Sequence, residues 1–483
     1  MVRVISQETY NEVVNENMEQ FSMTPEEAIE DAVKQFEAQG IDLSNIIKDL
    51  ILNDDNELII SYLNQINIAI GDRNYENIHH VLDKLRSQLD KDIARRVYAG
   101  KMGTYNILIN LMKTCSNNAT IIKAALKTIT SLMTGNPDLL NDEGIALQIQ
   151  ILDTYSDIST LQLLLRWIRE CCIKHELNRQ GIFNADIFSK LKKILIRDDM
   201  SGPELRDACA VIRALVLDDD IRQEYGKAHE HATIIAKGAL NVLTGLIPKY
   251  KKDKGVVGDL IITLAALIVR NEFCQEVEDA GGLKFVIDVM IDYPDSEKLN
   301  WQALKLLKAL AGNDDVKSHI IMSGCGPLIV SAISRMRVSL HFCDVAFCDT
   351  CCPLISLDLE SECVVTAGLA CISALTLRCS SNAGVFYDCG APLVIIDAMK
   401  AYPKSVNVLK QAAWAIRNMS VRNKAECSEF ITHGVEDVLA KALKQHDSKI
   451  ESDVKAALRD LGLKVELKER WTGKGVSMSN GID

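Results

Sequence analysis

Apolar positions along this chain recur at helical spacing, three and four residues apart. Thr24-Pro25-Glu26-Glu27 opens a helix: Thr24 is a good N-cap, Pro25 suits the first turn and Glu27 completes a capping box. Ala28, Ile29, Ala32, Val33 and Phe36 then form one stripe, and Gly40 ends the helix. An earlier amphipathic stretch runs from about Glu8 to Phe21, and two more helices follow around 56–70 and 74–90. Together they make a helical N-terminal region, residues 1–94.

From about residue 95 the pattern repeats itself. A small-residue break followed by an apolar helix recurs at Gly103, Gly144, Gly282, Gly326, Gly390 and Gly434, and more weakly near Asp186 and Gly238. Gly238, Gly282 and Gly326 are 44 residues apart, as are Gly390 and Gly434. Each break precedes a helix of about ten residues, a loop and a longer helix, as at 119–132, 204–217, 299–312 and 407–421. A short third helix precedes the next glycine, as at 423–434. A unit of this size cannot bury its apolar face alone, so the units must stack. A period of about 40–47 residues lies in the armadillo/HEAT range. The expected fold is all-α: an armadillo-type right-handed α-solenoid of about eight repeats over residues 95–462, with a tail at 463–483.

Two strings, AGGL at 280–283 and AAWAIRNMSV at 412–421, resemble armadillo-repeat motifs. Five longer ones resemble the armadillo repeat-containing protein 6 family. They are TPEEAIEDAVKQFEAQGIDLSNI (24–46), DDDIRQEYGKAHEHA (218–232), RNEFCQEVEDAGG (270–282), AGNDDVK (311–317) and AALRDLGLKVELKERWTG (456–473). They reach both ends and the middle of the chain. The resemblance implies an intracellular, non-enzymatic armadillo protein and brings no catalytic or binding motif with it.

Composition narrows the choice. Proline is 9 of 483 residues, too few for a sandwich, a barrel or a Pro-rich disordered chain. The longest apolar run, Leu260 to Val269, has about half the length a bilayer needs, and the N-terminus shows no secretory stretch. The 15 cysteines are therefore expected as reduced thiols, many of them small core residues, in a cytoplasmic or also nuclear protein. The net charge of −12 is localised: residues 1–60 hold 14 acidic and 3 basic side chains, the remaining 423 hold 52 and 51. No basic excess marks a nucleic-acid binder. The cluster Lys249, Lys251, Lys252 and Lys254 reads as a solvated loop. The acidic segment reads either as a cap over the first repeat or as an arm that docks elsewhere.

In armadillo proteins the last helix of each unit lines a groove, and importin-α-like proteins carry Trp and Asn four apart on it, the Asn amides gripping a peptide backbone. Trp414 and Asn418 fit that spacing. The equivalent Asn positions elsewhere are Thr128, Trp167, Ala214, Ala266, Ala309, Ala374 and Asp460, so there is no Asn ladder. One residue earlier stands a basic row: Lys127, Arg166, Arg213, Lys308, Arg417 and Arg459, broken by Ala265 and Ser373. Two readings stay open. The row is a positive stripe for an acidic or C-terminal peptide, or it is helix-end chemistry, worth about 0.3–1 kcal/mol per cation. As surface residues, these side chains are expected to tolerate charge reversal with little change in stability. The acidic segment 1–60 is a candidate intramolecular ligand for the row.

Metal and catalytic signals are weak. His229 and His231 follow Asp218, Asp219 and Asp220 in a lengthened unit, and Cys348 and Cys351 lie near His341 and Cys343. Neither set has a full ligand spacing, and no P-loop, GxSxG or HExxH motif occurs. The spacing from Gly326 to Gly390 is 64, an excess of 20 residues over the period. The excess, Val338 to Leu357, opens with Val-Ser, one translation of a splice-donor consensus, and reads as a translated intron or as an irregular loop outside the stack. The expected function is a non-enzymatic scaffold, monomeric and without cofactors, that binds a protein or acidic peptide along its groove and touches neither nucleic acid nor membrane. The alternatives are an importin-α-like transport adaptor, or a metal-binding or enzymatic protein.

Overall fold

The computed structural model describes residues 4–43, 46, 48, 57–343, 354–446 and 449–465, with side chains for all of these except 336–343 and 354–360. It divides into two units, Met1–Ala280 and Gly281–Asp483. The first opens with a hairpin of α1 (Gln7–Phe21) and α2 (Pro25–Ala38), followed by α3 (Glu57–Gly71) and α4 (Ile78–Leu89). Then come α5 (Ile93–Lys101), α6 (Thr104–Thr114) and α7 (Ala119–Met133), and the pair α8 (Asp142–Thr154) and α9 (Ile158–Cys172). The group α10 (Glu176–Asn184), α11 (Ile187–Leu195) and α12 (Gly202–Leu215) precedes α13 (Ala228–Tyr250), α14 (Lys254–Leu267) and α15 (Asn271–Asp279). The second unit holds α16 (Gly282–Asp292), α17 (Glu297–Leu310), α18 (Asp314–Met322), α19 (Cys325–Cys343) and α20 (Leu354–Thr376). It ends with α21 (Ser380–Asp388), α22 (Ala391–Ala401), α23 (Val406–Ser420), α24 (Cys427–Thr432), α25 (Val435–His446) and α26 (Glu451–Asp460).

Local chemistry explains the hairpin. Thr24 and Glu27 form the reciprocal capping box and Pro25 occupies the first turn of α2. The α2 stripe buries Ala28, Ala32 and Phe36. The Phe36 ring meets Tyr10 of α1 at 6.0 Å, in a small core completed by Leu43 and Ile46. Burying a ring of that size stabilises by about 1.5–3 kcal/mol.

The last helix of each group packs on the last helix of the next, forming a spine. In the first unit the spine is α4, α7, α9, α12 and α14; in the second it is α17, α20, α23 and α26. α4, read as part of the N-terminal region, thus packs on α7 as the repeat helices do. Thr128 Oγ1 of α7 donates to the Leu82 carbonyl of α4 at 3.2 Å. Trp167 and Ile168 of α9 are wholly buried, as are Ala412, Ala413 and Ala415 of α23. Of the eleven described cysteines eight are buried, and burial pushes the Cys172 thiol up to about 12.

The periodic glycines divide into two kinds. Gly103, Gly390 and Gly434 sit at positive φ between helices, as a left-handed junction requires; at two other junctions that residue is Gly281 or Gly324 rather than Gly282 or Gly326. Gly238 is not a break. It lies inside α13, where an added Cβ would fall 2.8 Å from the Phe188 ring of α11. The period at this point marks a close helix contact.

The lengthened unit has its own device. Arg179, 1% exposed, donates to Glu176 Oε2 at 2.9 Å, to Asp219 Oδ1 at 2.6 Å and to the Cys172 carbonyl at 2.8 Å. Arg222 pairs with Asp220 at 2.8 Å and Asp138 at 2.9 Å, and the Lys227 amide donates to Glu176 Oε1 at 2.6 Å. The segment between α12 and α13 is thereby fastened to α10. The segment 338–357, expected as one irregular loop, is helical at both ends, because α19 continues to Cys343 and α20 begins at Leu354. Residues 344–353 lie outside the described residues.

Candidate interaction site on the spine

The basic row does project from the spine. Arg166, Arg213 and Arg417, however, reach sideways to the next spine helix. Arg166 of α9 donates through Nε and Nη2 to Asp207 of α12, both at 3.3 Å. Arg213 of α12 donates to Asp259 Oδ1 of α14 at 2.8 Å, to the Asp259 carbonyl at 3.1 Å and to Thr263 Oγ1 at 2.7 Å. In the second unit Arg417 of α23 donates to Asp460 of α26 at 3.0 Å, and Arg459 reaches the same carboxylate at 3.1 Å. The Arg166, Arg213 and Arg417 ties stitch neighbouring repeats, whereas the Arg459 contact stays within α26. Arg213, Lys308, Arg417 and Arg459 also stand in the last turns of their helices, so helix-end attraction acts on them as well.

A positional rule separates the cations. Asp207 stands six residues before Arg213, and Asp259 six before Ala265, the matching row position of the next helix. Each thus receives the arginine of the preceding helix. After Lys127 that position is Thr160, and after Lys308 it is Ala367. Lys127 and Lys308 are exposed and have no ion pair or hydrogen bond among the described residues. Arg417 departs from the offset, pairing with Asp460 while Trp414 takes Asp453. Arginine, whose fork bonds a carboxylate bidentately, makes all three bridges between spine helices, and the two lysines of the row, strongly hydrated point charges, are free.

Between α9, α12 and α14 the exposed face opens into a groove of about 720 Å³. Four guanidinium groups line it, from Arg166, Arg169, Arg206 and Arg213, against two carboxylates, Asp207 and Asp259. Ile173, Val216, Leu217 and Ile262 supply apolar wall. Arg206 Nε shares Asp259 at 2.7 Å, and Arg169 meets only its neighbour Glu170 at 3.4 Å. Arg169, Arg206, Asp207 and Asp259 were not singled out in the sequence. The signal for the carboxylates was the six-residue offset between successive repeats.

Trp414 and Asn418 also turn to neighbouring spine helices. Trp414, 40% exposed, donates Nε1 to Asp453 of α26 at 2.7 Å. Asn418 Nδ2 donates to the carbonyl and hydroxyl of Ser373 on α20, both at 2.9 Å. The matching Thr128 and Trp167 are wholly buried. The acidic hairpin lies beside α5: Tyr10, Val14 and Ile29 share a slot of about 260 Å³ with Val97, Tyr98 and Lys101.

His229 and His231 do not converge with the acidic triplet on a metal site. His231 is buried, bonds the Leu215 carbonyl through Nδ1 at 3.1 Å and stacks on Phe183 at 4.0 Å. Burial lowers its pKa, favouring the neutral ring. Asp219 and Asp220 are taken by the arginine network. Among the described residues no group of three or more His, Cys, Asp or Glu side chains is arranged to hold a metal. The side chains of His341, Cys343, Cys348 and Cys351 lie outside the described residues. No single described helix is long and apolar enough to cross a membrane.

Comparison with known proteins gives concordant matches. The model of the armadillo repeat-containing protein 6 N-terminal domain matches residues 2–59, and the ARMC6 model matches residues 59–360. The armadillo repeat-containing protein 6 homolog of Drosophila melanogaster is 42% identical over 483 residues, covering 98% of each chain. The Homo sapiens armadillo repeat-containing protein 6 is 33% identical over 365 residues, 72% of this chain and 73% of that one. Among solved structures, a chain from work on the phosphorylation switch between cadherin and β-catenin superposes with a TM-score of 0.63 at 13% identity, covering 94% of this chain and 83% of that one. An engineered protein superposes at 0.51 with 17% identity, covering 86% and 100%. At such identities the likeness is one of fold.

Proposed function

The chain belongs to the armadillo repeat-containing protein 6 family and folds as an all-α armadillo solenoid, and on that premise we propose that it acts as a non-enzymatic scaffold. A partner's extended segment lies along the exposed face of the spine. The observation that carries this reading is the groove of α9, α12 and α14, where cationic and apolar side chains line one open surface. Lys127 in the first unit and Lys308 in the second each carry a free ammonium group of the same chemistry. The partner is a protein or peptide of acidic character, met by a monomer in the cytoplasm and also in the nucleus; no nucleic acid or membrane takes part. The transport-adaptor alternative has less support, because the Asn418 amide that would grip a peptide backbone is spent on Ser373.

The test is affinity purification from the native cell type with the wild-type chain and a Lys127→Glu/Lys308→Glu variant. The variant should keep its melting temperature and lose its acidic partners. An unchanged partner set would overturn the reading.

A further inference from the structure

We infer that the groove between α9, α12 and α14 is an acceptor for one particular kind of segment: an extended peptide carrying two carboxylates with an apolar side chain between them. The inference rests on the scaffold reading and specifies its ligand.

Charge sets the kind of partner. Four guanidinium groups line the groove with two carboxylates, and Glu170 stands 3.4 Å from Arg169, so the groove keeps a net positive charge. The four are not equivalent. Arg213 makes three hydrogen bonds to α14 and is 24% exposed, so it is held. Arg166, Arg169 and Arg206 are 51%, 46% and 48% exposed, and their free N–H groups face solvent. The Arg166–Asp207 contacts are long, at 3.3 Å, and yield readily to a better-placed carboxylate. Arg169 has only the 3.4 Å contact with Glu170 and is the freest of the four.

The walls set the rest. Ile173, Val216, Leu217 and Ile262 offer apolar contact between the charged positions. No aromatic side chain lines the groove, so nothing there stacks a nucleobase. In an extended peptide successive side chains point to opposite sides. An acidic-apolar-acidic run can therefore turn its carboxylates toward the arginines of α9 and α12 while its apolar group meets an apolar side chain of the groove.

The experiment selects a randomised nonapeptide display library on the full-length protein. It then measures the enriched peptides by fluorescence anisotropy on the wild type, on Arg169→Gln/Arg206→Gln and on Lys308→Glu. The double variant removes the two half-exposed cations outside the Arg166–Asp207 and Arg213–Asp259 ties and leaves those ties in place, and its melting curve controls for folding. The expected result is enrichment of two Asp or Glu flanking an apolar residue. Binding should weaken about tenfold or more in the double variant and on raising salt, and stay unchanged in Lys308→Glu. Three results would overturn the inference: no enrichment, enrichment without an acidic excess, or equal affinity for wild type and double variant. Selective binding of a phosphorylated peptide, with none of its dicarboxylate counterpart, would do so too. Failure here alongside loss of native partners in Lys127→Glu/Lys308→Glu removes this groove as the ligand site and leaves the scaffold standing.

Discussion

Arg179 offers a sharp test of how the lengthened unit is held. Its guanidinium is 1% exposed, and the Glu176 carboxylate it pairs with is 2% exposed. Burial alone would raise the Glu176 carboxyl; hydrogen bonds from Gln180, the Lys227 amide and Arg179 outweigh it and hold the pKa below its ordinary value. Arg179→Met keeps the length and removes the charge. Glu176 then retains Gln180 Nε2 at 2.7 Å and the Lys227 amide at 2.6 Å, but no countercharge. Stranding one member of a buried pair costs about 3–5 kcal/mol. Asp219 adds little, since it is 30% exposed and keeps two bonds from the Lys174 amide at 3.1 Å. We expect a loss of about 3–5 kcal/mol at neutral pH, read from native-state hydrogen exchange of α9 and α10 so that the first unit is measured by itself. Adding Glu176→Gln should recover about half, because the stranded charge is gone. The deficit should also narrow as pH falls toward about 4–5, because without Arg179 burial is opposed only by Gln180 and the Lys227 amide and Glu176 takes up its proton more readily than in the wild type. A loss below about 1 kcal/mol, or a further loss on adding Glu176→Gln, would refute the argument.

Three further outcomes can be measured. Arg213→Ala should cost about 1–3 kcal/mol, because its bonds to Asp259 and Thr263 tie α12 to α14. Lys127→Ala should stay within about 0.5 kcal/mol; equal effects in urea unfolding would show that the arginine ties carry no load. On α13, Gly238→Ala should destabilise by about 1–3 kcal/mol by forcing a methyl against Phe188. Gly245→Ala, with open space around it, should stabilise by about 0.4–1 kcal/mol, and the reverse order of melting temperatures would sink the packing account. Hydrogen bonding from His175, against burial and with help from Arg222, holds the Asp138 carboxyl at about 2. Burial would raise Asp220, but bonds from Arg222 and the Glu176 amide keep it below its usual value. Depressed carboxyls contribute stability above about pH 4 and lose it as pH falls through their folded values. Acid unfolding of the first unit between about pH 4 and 2 should therefore be blunted in Asp138→Asn, as circular dichroism titration would record.

The elements and their order were legible in the sequence because the forces that start and stop a helix act within about four residues. The Thr24 box, the Ala28–Phe36 stripe and the left-handed Gly103, Gly390 and Gly434 needed no distant partner. The repeat period was legible for the same reason, though it could not say that Gly238 marks a close approach to Phe188. The row Lys127, Arg166, Arg213, Lys308, Arg417 and Arg459 could also be read as a row. What each cation does could not, because it depends on partners far along the chain: Asp207 is 41 residues from Arg166, Asp259 is 46 from Arg213, and Asp460 is 43 from Arg417. Arg169 and Arg206, without a place in the row, enter the groove only because α9 and α12 stack side by side. Likewise His231 and Asp219, which suggested a ligand set, are drawn apart by Phe183 and Arg179. Helix formation is a local balance of caps and propensities. The use of a charge is decided by the offset between stacked helices, which packing sets and local sequence does not contain.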